Sequence, residues 1–145
     1  MAVVRRKSDG KFLLVQEFCS SGYWLPGGGV DPGEDLDKAA IRETLEEAGV
    51  EIELKGILRM EYSPKTKYSR LRVIFYGEPV DDSARAKTIP DFESVGACWV
   101  SIDDLSSLRL RGPEPLLWCT YVSRNLSIYP LSLLTTEGAM VPLIN

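Results

Sequence analysis

The 145-residue chain contains no histidine. That absence removes Ser-His-Asp and Cys-His catalysis, histidine-bound zinc and an imidazole general base together. Cysteine is scarce: Cys19, Cys98 and Cys119 are an odd number, without metal-ligand spacing and without a CxxC pair. They read as reduced, mostly buried thiols of a cytosolic protein, with no sign of an activated thiolate. No uncharged apolar run approaches the length of a membrane span, and Met1-Ala2-Val3-Val4-Arg5-Arg6 is not a signal peptide. The cytoplasm, or the nucleus, is the expected compartment, and no membrane partner is expected. Positive charge is not in excess either. A net charge of −4 speaks against duplex nucleic acid as a partner, because that surface calls for a basic footprint. Chemistry must therefore rest on carboxylates, Lys, Tyr, Cys or a metal. A phosphorylated small molecule stays admissible, since a bound cation can supply positive charge locally.

What is present is ordinary globular material, 44% hydrophobic and 26% charged. The length suits one domain over residues 1–145, with a core that needs no disulfide or metal staple. Ala2–Arg6 and Phe12–Gln16 read as strands joined at Lys7-Ser8-Asp9-Gly10, a hairpin. Cys19–Gly22 is a loop, Tyr23–Leu25 a brief extended segment, and Pro26–Gly33 a Pro/Gly-rich loop. A helix then runs to Gly49, with Asp35 as its N-cap and Lys38 where a capping-box acid would stand. Gly49 suits the C′ position. Ala40, Ile41, Thr44, Leu45 and Ala48 are expected to form its buried arc, with Glu43, Glu46 and Glu47 roughly opposite. Val50–Met60 alternates as a half-exposed strand, 63–69 is a polar, basic turn, and Arg70–Gly77 is a strong strand. The segment 78–92 reads as a loop, Gly96–Val100 as a short buried strand, 102–105 as a helical turn and Pro113–Arg124 as a second helix. The tail from Ser127, broken by Pro130, Gly138 and Pro142, is expected to follow an irregular surface path. Strands, helix, strands, helix make the class α/β (α+β) with a mixed sheet.

The chemical interest lies in residues 28–50, GGVDPGEDLDKAAIRETLEEAGV. Glu43, Glu46 and Glu47 sit at i, i+3 and i+4, so they share one helix face. Like charges at that spacing repel by a few tenths of a kcal/mol per pair. The cluster becomes favourable when a hard divalent cation lies among the oxygens. Glu34, eight residues ahead of Arg42, can pair with it and lock the glycine loop to the helix.

The combined pattern, Gly28, Glu34 and then Arg42-Glu43-Thr44-Leu45-Glu46-Glu47-Ala48-Gly49-Val50, resembles the Nudix box, G-x5-E-x7-R-E-U-x-E-E-x-G-U with U aliphatic. Only Thr44 departs from it, standing where an aliphatic residue is usual. The resemblance to the Nudix (MutT-like) hydrolases implies a mixed sheet sandwiched between helices and a Mg²⁺ or Mn²⁺ cofactor. It implies that Glu43, Glu46 and Glu47 bind metal, with Glu46 and Glu47 catalytic, and that the carbonyl of Gly27 helps. It implies that Glu34 and Arg42, with Gly28, support the site. In FESVGACW it makes Glu93 the candidate catalytic base or extra ligand, with Asp91 as competitor.

Arg72, with Arg70, Lys65 and Lys67 nearby, can meet substrate phosphates. Trp24 has the best position among Phe18, Tyr23, Trp24, Tyr62 and Trp118 to stack on a base, although core packing is the commoner fate of such residues. LLVQE, YWLPGG, LRVIFYGEP, ESVGACWVSIDDL and LRLRGPEPL are similar to the branch that holds a human nucleoside-diphosphate phosphatase for oxidised guanine nucleotides. The implied activity is metal-dependent hydrolysis of a phosphate or pyrophosphate bond in a nucleoside diphosphate linked to a further group. An ADP-ribose or nucleotide-sugar pyrophosphatase is the competing enzyme, and a catalytically silent nucleotide-binding module is the reading from another class. The intact carboxylate set argues against silence. The expected partner is a small nucleotide, and assembly as a homodimer is left open.

Overall fold

The computed structural model describes residues 1–141; Pro142 of the tail lies outside them. Six strands are β1 (Ala2–Val4), β2 (Phe12–Glu17), β3 (Gly22–Trp24), β4 (Ile52–Pro64), β5 (Ser69–Pro79) and β6 (Gly96–Val100). Two helices are α1 (Leu36–Ala48) and α2 (Glu114–Ser123). Short 3-10 turns follow at Leu105–Ser107 and Leu131–Leu133.

The strands form two three-stranded sheets, β1-β5-β4 and β3-β2-β6. The first is mixed, with β1 parallel to β5 and β5 antiparallel to β4, while the second is antiparallel. This corrects the expected β1–β2 hairpin. Beyond the Arg5–Phe12 bridge, β1 leaves its neighbour in sequence and pairs Ala2 with Phe75 and Val4 with Gly77. Residues 7–10 thus turn a corner between sheets. Turn chemistry predicts a reversal of direction, but pairing goes to the strand that buries β1 on both sides.

Both faces of the sheets are covered, so side-chain alternation divides the interior in two. Ala2, Val4, Leu13, Val15, Val73 and Phe75 pack with Ala40 and Ala48 of α1. Val3, Phe12, Leu14 and Ile74 pack with Trp118, Cys119 and Val122 of α2. The result is a helix–sheet–helix sandwich. Trp118 is therefore core, as its bland reading had it.

Within α1 the buried positions are Ala39, Ala40, Thr44 and Ala48. Leu45, assigned to the buried arc from the sequence, is 49% exposed. The arc is rotated toward the acids, so Glu43 and Glu47 lie at its border rather than opposite it. Thr44 is fully buried, and its hydroxyl donates 2.7 Å to the Ala40 carbonyl, which satisfies the polar group the box does not call for. Asp35 occupies the N-cap with extended backbone but makes no side-chain cap bond, and Gly49 closes the helix in left-handed conformation.

β4 and β5 are longer than the sequence reading. They form a hairpin arm whose turn spans 65–68, with register shifts between Leu54 and Gly56 and between Ile57 and Arg59. The tail returns along this arm, where Tyr129 bridges Ile57. No helix among the described residues is long and apolar enough to cross a membrane.

Candidate active site

The glycine loop is tied to α1 at two points. Arg42 is the first: its Nε and Nη2 each donate 2.8 Å to the two carboxylate oxygens of Glu34, and Nη2 reaches the Gly29 carbonyl at 3.1 Å. This fork-to-carboxylate pair holds Glu34 down to about 2. The brace expected from the sequence is present, and it extends further than expected. Nη1 of the same guanidinium also donates 3.0 Å to Glu43 and 3.0 Å to Glu46. The second tie is Glu47, whose Oε2 accepts the Gly27 N–H at 2.8 Å. Gly28 is packed so closely on Glu43 that a Cβ there would lie 2.5 Å from its carboxylate.

The three box acids do not converge on one point. Glu43 and Glu46 share Arg42, while Glu47 turns toward the glycine loop. Among the described residues no three acidic or thiol side chains form a finished ion cage. Their electrostatics nonetheless suit a cation. Burial raises Glu47 to about 7, and the carboxylates of Glu43, Glu17 and Glu93 push the same way against the single Gly27 N–H. Glu43 has Arg42 and Glu17 has Arg111 as countercharge, whereas Glu47, largely buried, has only the Gly27 N–H, so the set offers hard oxygen donors with one carboxylate unneutralised. Mg²⁺ or Mn²⁺ fits such a set, and a soft metal does not.

The loop carrying Glu93 is clamped to the far end of α1. Lys87 N–H caps the Ala48 carbonyl at 2.8 Å, Lys87 Nζ takes the Glu46 carbonyl at 2.7 Å, and the buried Ser94 hydroxyl takes the Glu47 carbonyl at 2.6 Å. Asp91 belongs to the clamp, bonded to Lys87 Nζ at 2.8 Å and to the Glu93 and Ser94 amides. Glu93 is left with its carboxylate near Glu47.

Beside α1 opens a cleft of about 820 Å³, lined among others by Trp24, Gly27–Gly29, Glu43, Leu71, Arg72 and Phe75. Trp24 and Arg72 both line it. Arg72 is heavily engaged, though: Nε bonds Glu61 at 2.8 Å, and Nη1 and Nη2 meet Glu114 at 3.0 and 3.1 Å. Arg70 and Tyr68 also line the cleft. Phe18 and Tyr62 are exposed, and Tyr23 sits in β3. Sequence reasoning missed Glu17 and Arg111, which line the cleft as an ion pair of 2.7 Å. They stand 94 residues apart, and neither belongs to a local pattern. Of the cysteines, Cys119 is buried with its thiol raised to about 12, Cys98 is half-buried and Cys19 exposed.

Fold and site together define a carboxylate-bearing helix face braced to a glycine loop beside an open cleft. Comparison supplies the family: the model of the NUDIX domain matches residues 1–119, and the chain belongs to the Nudix hydrolases. It is 33% identical over 111 residues to putative nudix hydrolase 1 of Caenorhabditis elegans, covering 73% of this chain and 29% of that protein. It is 32% identical over 102 residues to the human 8-oxo-dGDP phosphatase NUDT18, covering 68% and 30%. A Nudix hydrolase structure from Nitrosomonas europaea superposes with a TM-score of 0.71 at 28% identity, covering 95% of both chains. This chain thus spans under a third of the length of those two curated relatives.

Proposed function

We propose that the chain is a Mg²⁺- or Mn²⁺-dependent hydrolase of a phosphate or pyrophosphate bond in a nucleoside diphosphate linked to a further group, with oxidised guanine nucleotides as the leading substrate class. Residues 1–145 act in it as a single domain. The observation that carries the proposal is the environment of Glu47, a largely buried carboxylate facing Glu43, Glu17 and Glu93, of which Glu43 and Glu17 line a nucleotide-sized cleft. The similarity to the human phosphatase favours oxidised guanine as the base. An ADP-ribose pyrophosphatase structure from Streptococcus suis, 26% identical with a TM-score of 0.63, keeps the second enzyme reading open.

Glu43, Glu46 and Glu47, with the Gly27 carbonyl, would hold the cation. When bound it supplies positive charge to the phosphate oxygens and lowers the pKa of a coordinated water. The protein does the rest. Arg42 and Glu34 fix the loop relative to the helix, so the donors keep their spacing. The Gly27 N–H holds one oxygen of Glu47 and leaves the other for the reaction. Glu93 takes the proton of the attacking water as its oxygen bonds to phosphorus, and the bridging P–O bond breaks toward the leaving phosphate. Trp24 offers a face to the base.

The test is a hydrolysis screen with and without Mg²⁺ or Mn²⁺ over nucleoside di- and triphosphates, their 8-oxo forms, ADP-ribose and nucleotide sugars. Phosphate and pyrophosphate release are read separately. Glu47→Gln is expected to lower kcat by at least about 100-fold. Failure to turn over any substrate, with nucleotide binding unchanged in Glu47→Gln, returns the chain to the silent binding module.

A further inference from the structure

Arg111 occupies its place through a chain of local devices. Strand β3 is followed along its edge by residues 109–111: Tyr23 N–H donates to the Arg109 carbonyl at 2.8 Å, and Arg111 N–H donates to the Tyr23 carbonyl at 3.0 Å. This strip runs parallel to β3 through the Tyr23–Leu110 bridge. Its close approach requires Gly22, which has φ +102° and where a Cβ would collide with the Arg109 carbonyl. Gly112, next in line, packs on the Trp24 ring. The Arg111 backbone is thereby fixed as an extra strip of the β3-β2-β6 sheet, and its guanidinium lies over the Trp24 indole, 5.3 Å from the ring centroid.

The guanidinium end is much less committed. Its one ion pair among the described residues is Glu17, at 2.7 Å, and its side chain is 55% exposed. Glu17 in turn is close enough to Glu47 to raise it. Arg111 therefore stands one side chain away from the carboxylates of α1, at the wall of the same cleft. Arg72 presents the opposite case. It is 22% exposed and spends its fork on Glu61 and Glu114, so a phosphate could engage it only by breaking a partly buried three-residue network.

We propose that Arg111, seated over Trp24 and tethered to Glu17, is the residue that binds the substrate's non-bridging phosphate oxygens, and that Arg72 holds the wall of the cleft instead. The ligand class is a nucleoside polyphosphate. A guanidinium matches phosphate with paired N–H donors, and stacking on the indole limits the rotamers it must lose on binding. Exchange of a single half-buried carboxylate for a phosphate keeps Arg111, itself 55% exposed, paired throughout, whereas Arg72 would have to give up two. The inference rests on reading this cleft as the nucleotide site, but not on turnover.

Binding calorimetry separates the two. Inorganic tripolyphosphate, GDP and guanosine are titrated in EDTA into the wild type, Arg111→Gln, Arg111→Lys and Arg72→Gln. Arg111→Gln is expected to weaken tripolyphosphate and GDP about 10- to 100-fold while guanosine is unchanged, so the GDP-to-guanosine affinity ratio collapses. Arg111→Lys keeps the charge without the fork and falls between; it carries the test if the glutamine variant does not fold. Arg72→Gln lowers Tm but preserves the ratio. A ratio preserved in Arg111→Gln, one collapsing in Arg72→Gln instead, or a wild type that binds neither anion overturns the proposal. A wild type without hydrolytic activity whose anion binding still depends on Arg111 leaves it standing and rejects only the hydrolase reading.

Discussion

Single side chains decide the chemistry here, and their long-range partners sort those that sequence treats as equals. Asp91 and Glu93 are both acids of one loop, yet Asp91 is consumed by Lys87 and two amides while Glu93 is left near Glu47. Glu93→Gln should therefore lower kcat about 10²- to 10³-fold with little change in KM, as loss of a base requires. Asp91→Asn should lower Tm and act on kcat only modestly. The reverse ranking in steady-state kinetics would remove Glu93 from the mechanism. Glu34, Arg42, Glu43, Glu46 and Glu47 were legible because the box encodes them within one loop and one helix. Glu17 and Arg111 were not, because only the pairing of β3 with a strip some 90 residues later brings them together. Arg72 was legible as a residue of the cleft but not in its engagement. Its partners Glu61 and Glu114 come from a neighbouring strand and a helix 42 residues away.

Elements show the same division between local and distant information. The extents of α1, β6 and α2 were readable from periodicity and breaker residues, since each carries its own amphipathic or apolar signature. The partner of β1 was not, because a three-residue apolar strand buried on all sides has no face to declare. Nor did the sequence reveal that the 87–94 loop would cap the C-terminal carbonyls of α1. That clamp has a measurable role. Ser94 is fully buried and its hydroxyl serves a helix carbonyl, so Ser94→Ala should cost about 1–2 kcal/mol in urea unfolding. It should also lower kcat on the order of 10-fold by letting Glu93 drift, with KM nearly constant. A stability loss with unchanged kcat would make the clamp structural only. Midway along the helix, Gly28→Ala puts a methyl group against Glu43. The carboxylate can swing aside, so the fold should survive while Mg²⁺ or Mn²⁺ affinity, read by titration, falls on the order of 10-fold.

For the whole molecule, a few perturbed carboxylates set how stability responds to pH. Two kinds of carboxylate oppose each other. Glu34 and Asp9 are held near 2 by Arg42 and Arg6. Their contribution is complete above the ordinary carboxylate range and is lost as pH falls through about 2. Glu47 is the opposite case, raised from 4.5 to about 7 chiefly by burial. The folded state holds that proton more tightly than the unfolded chain, so stability falls as pH climbs from 4.5 to 7 and stays low above. For a mostly buried group the loss is on the order of 3–4 kcal/mol at about 1.4 kcal/mol per pH unit. The metal-free protein should then be most stable near pH 4–5. Glu47→Gln removes the penalty. In EDTA at pH 8 it should raise Tm by about 5–10 °C over the wild type, and by much less at pH 5. Saturating Mg²⁺ or Mn²⁺ should reverse that order at pH 8, because the wild type gains binding energy that the amide lacks. Thermal melts across that grid test the idea directly. A Glu47→Gln protein no more stable than wild type in EDTA at pH 8 would show that Glu47 carries no stored electrostatic cost. If its Tm gain also survived saturating metal, the box glutamates would not be the metal site.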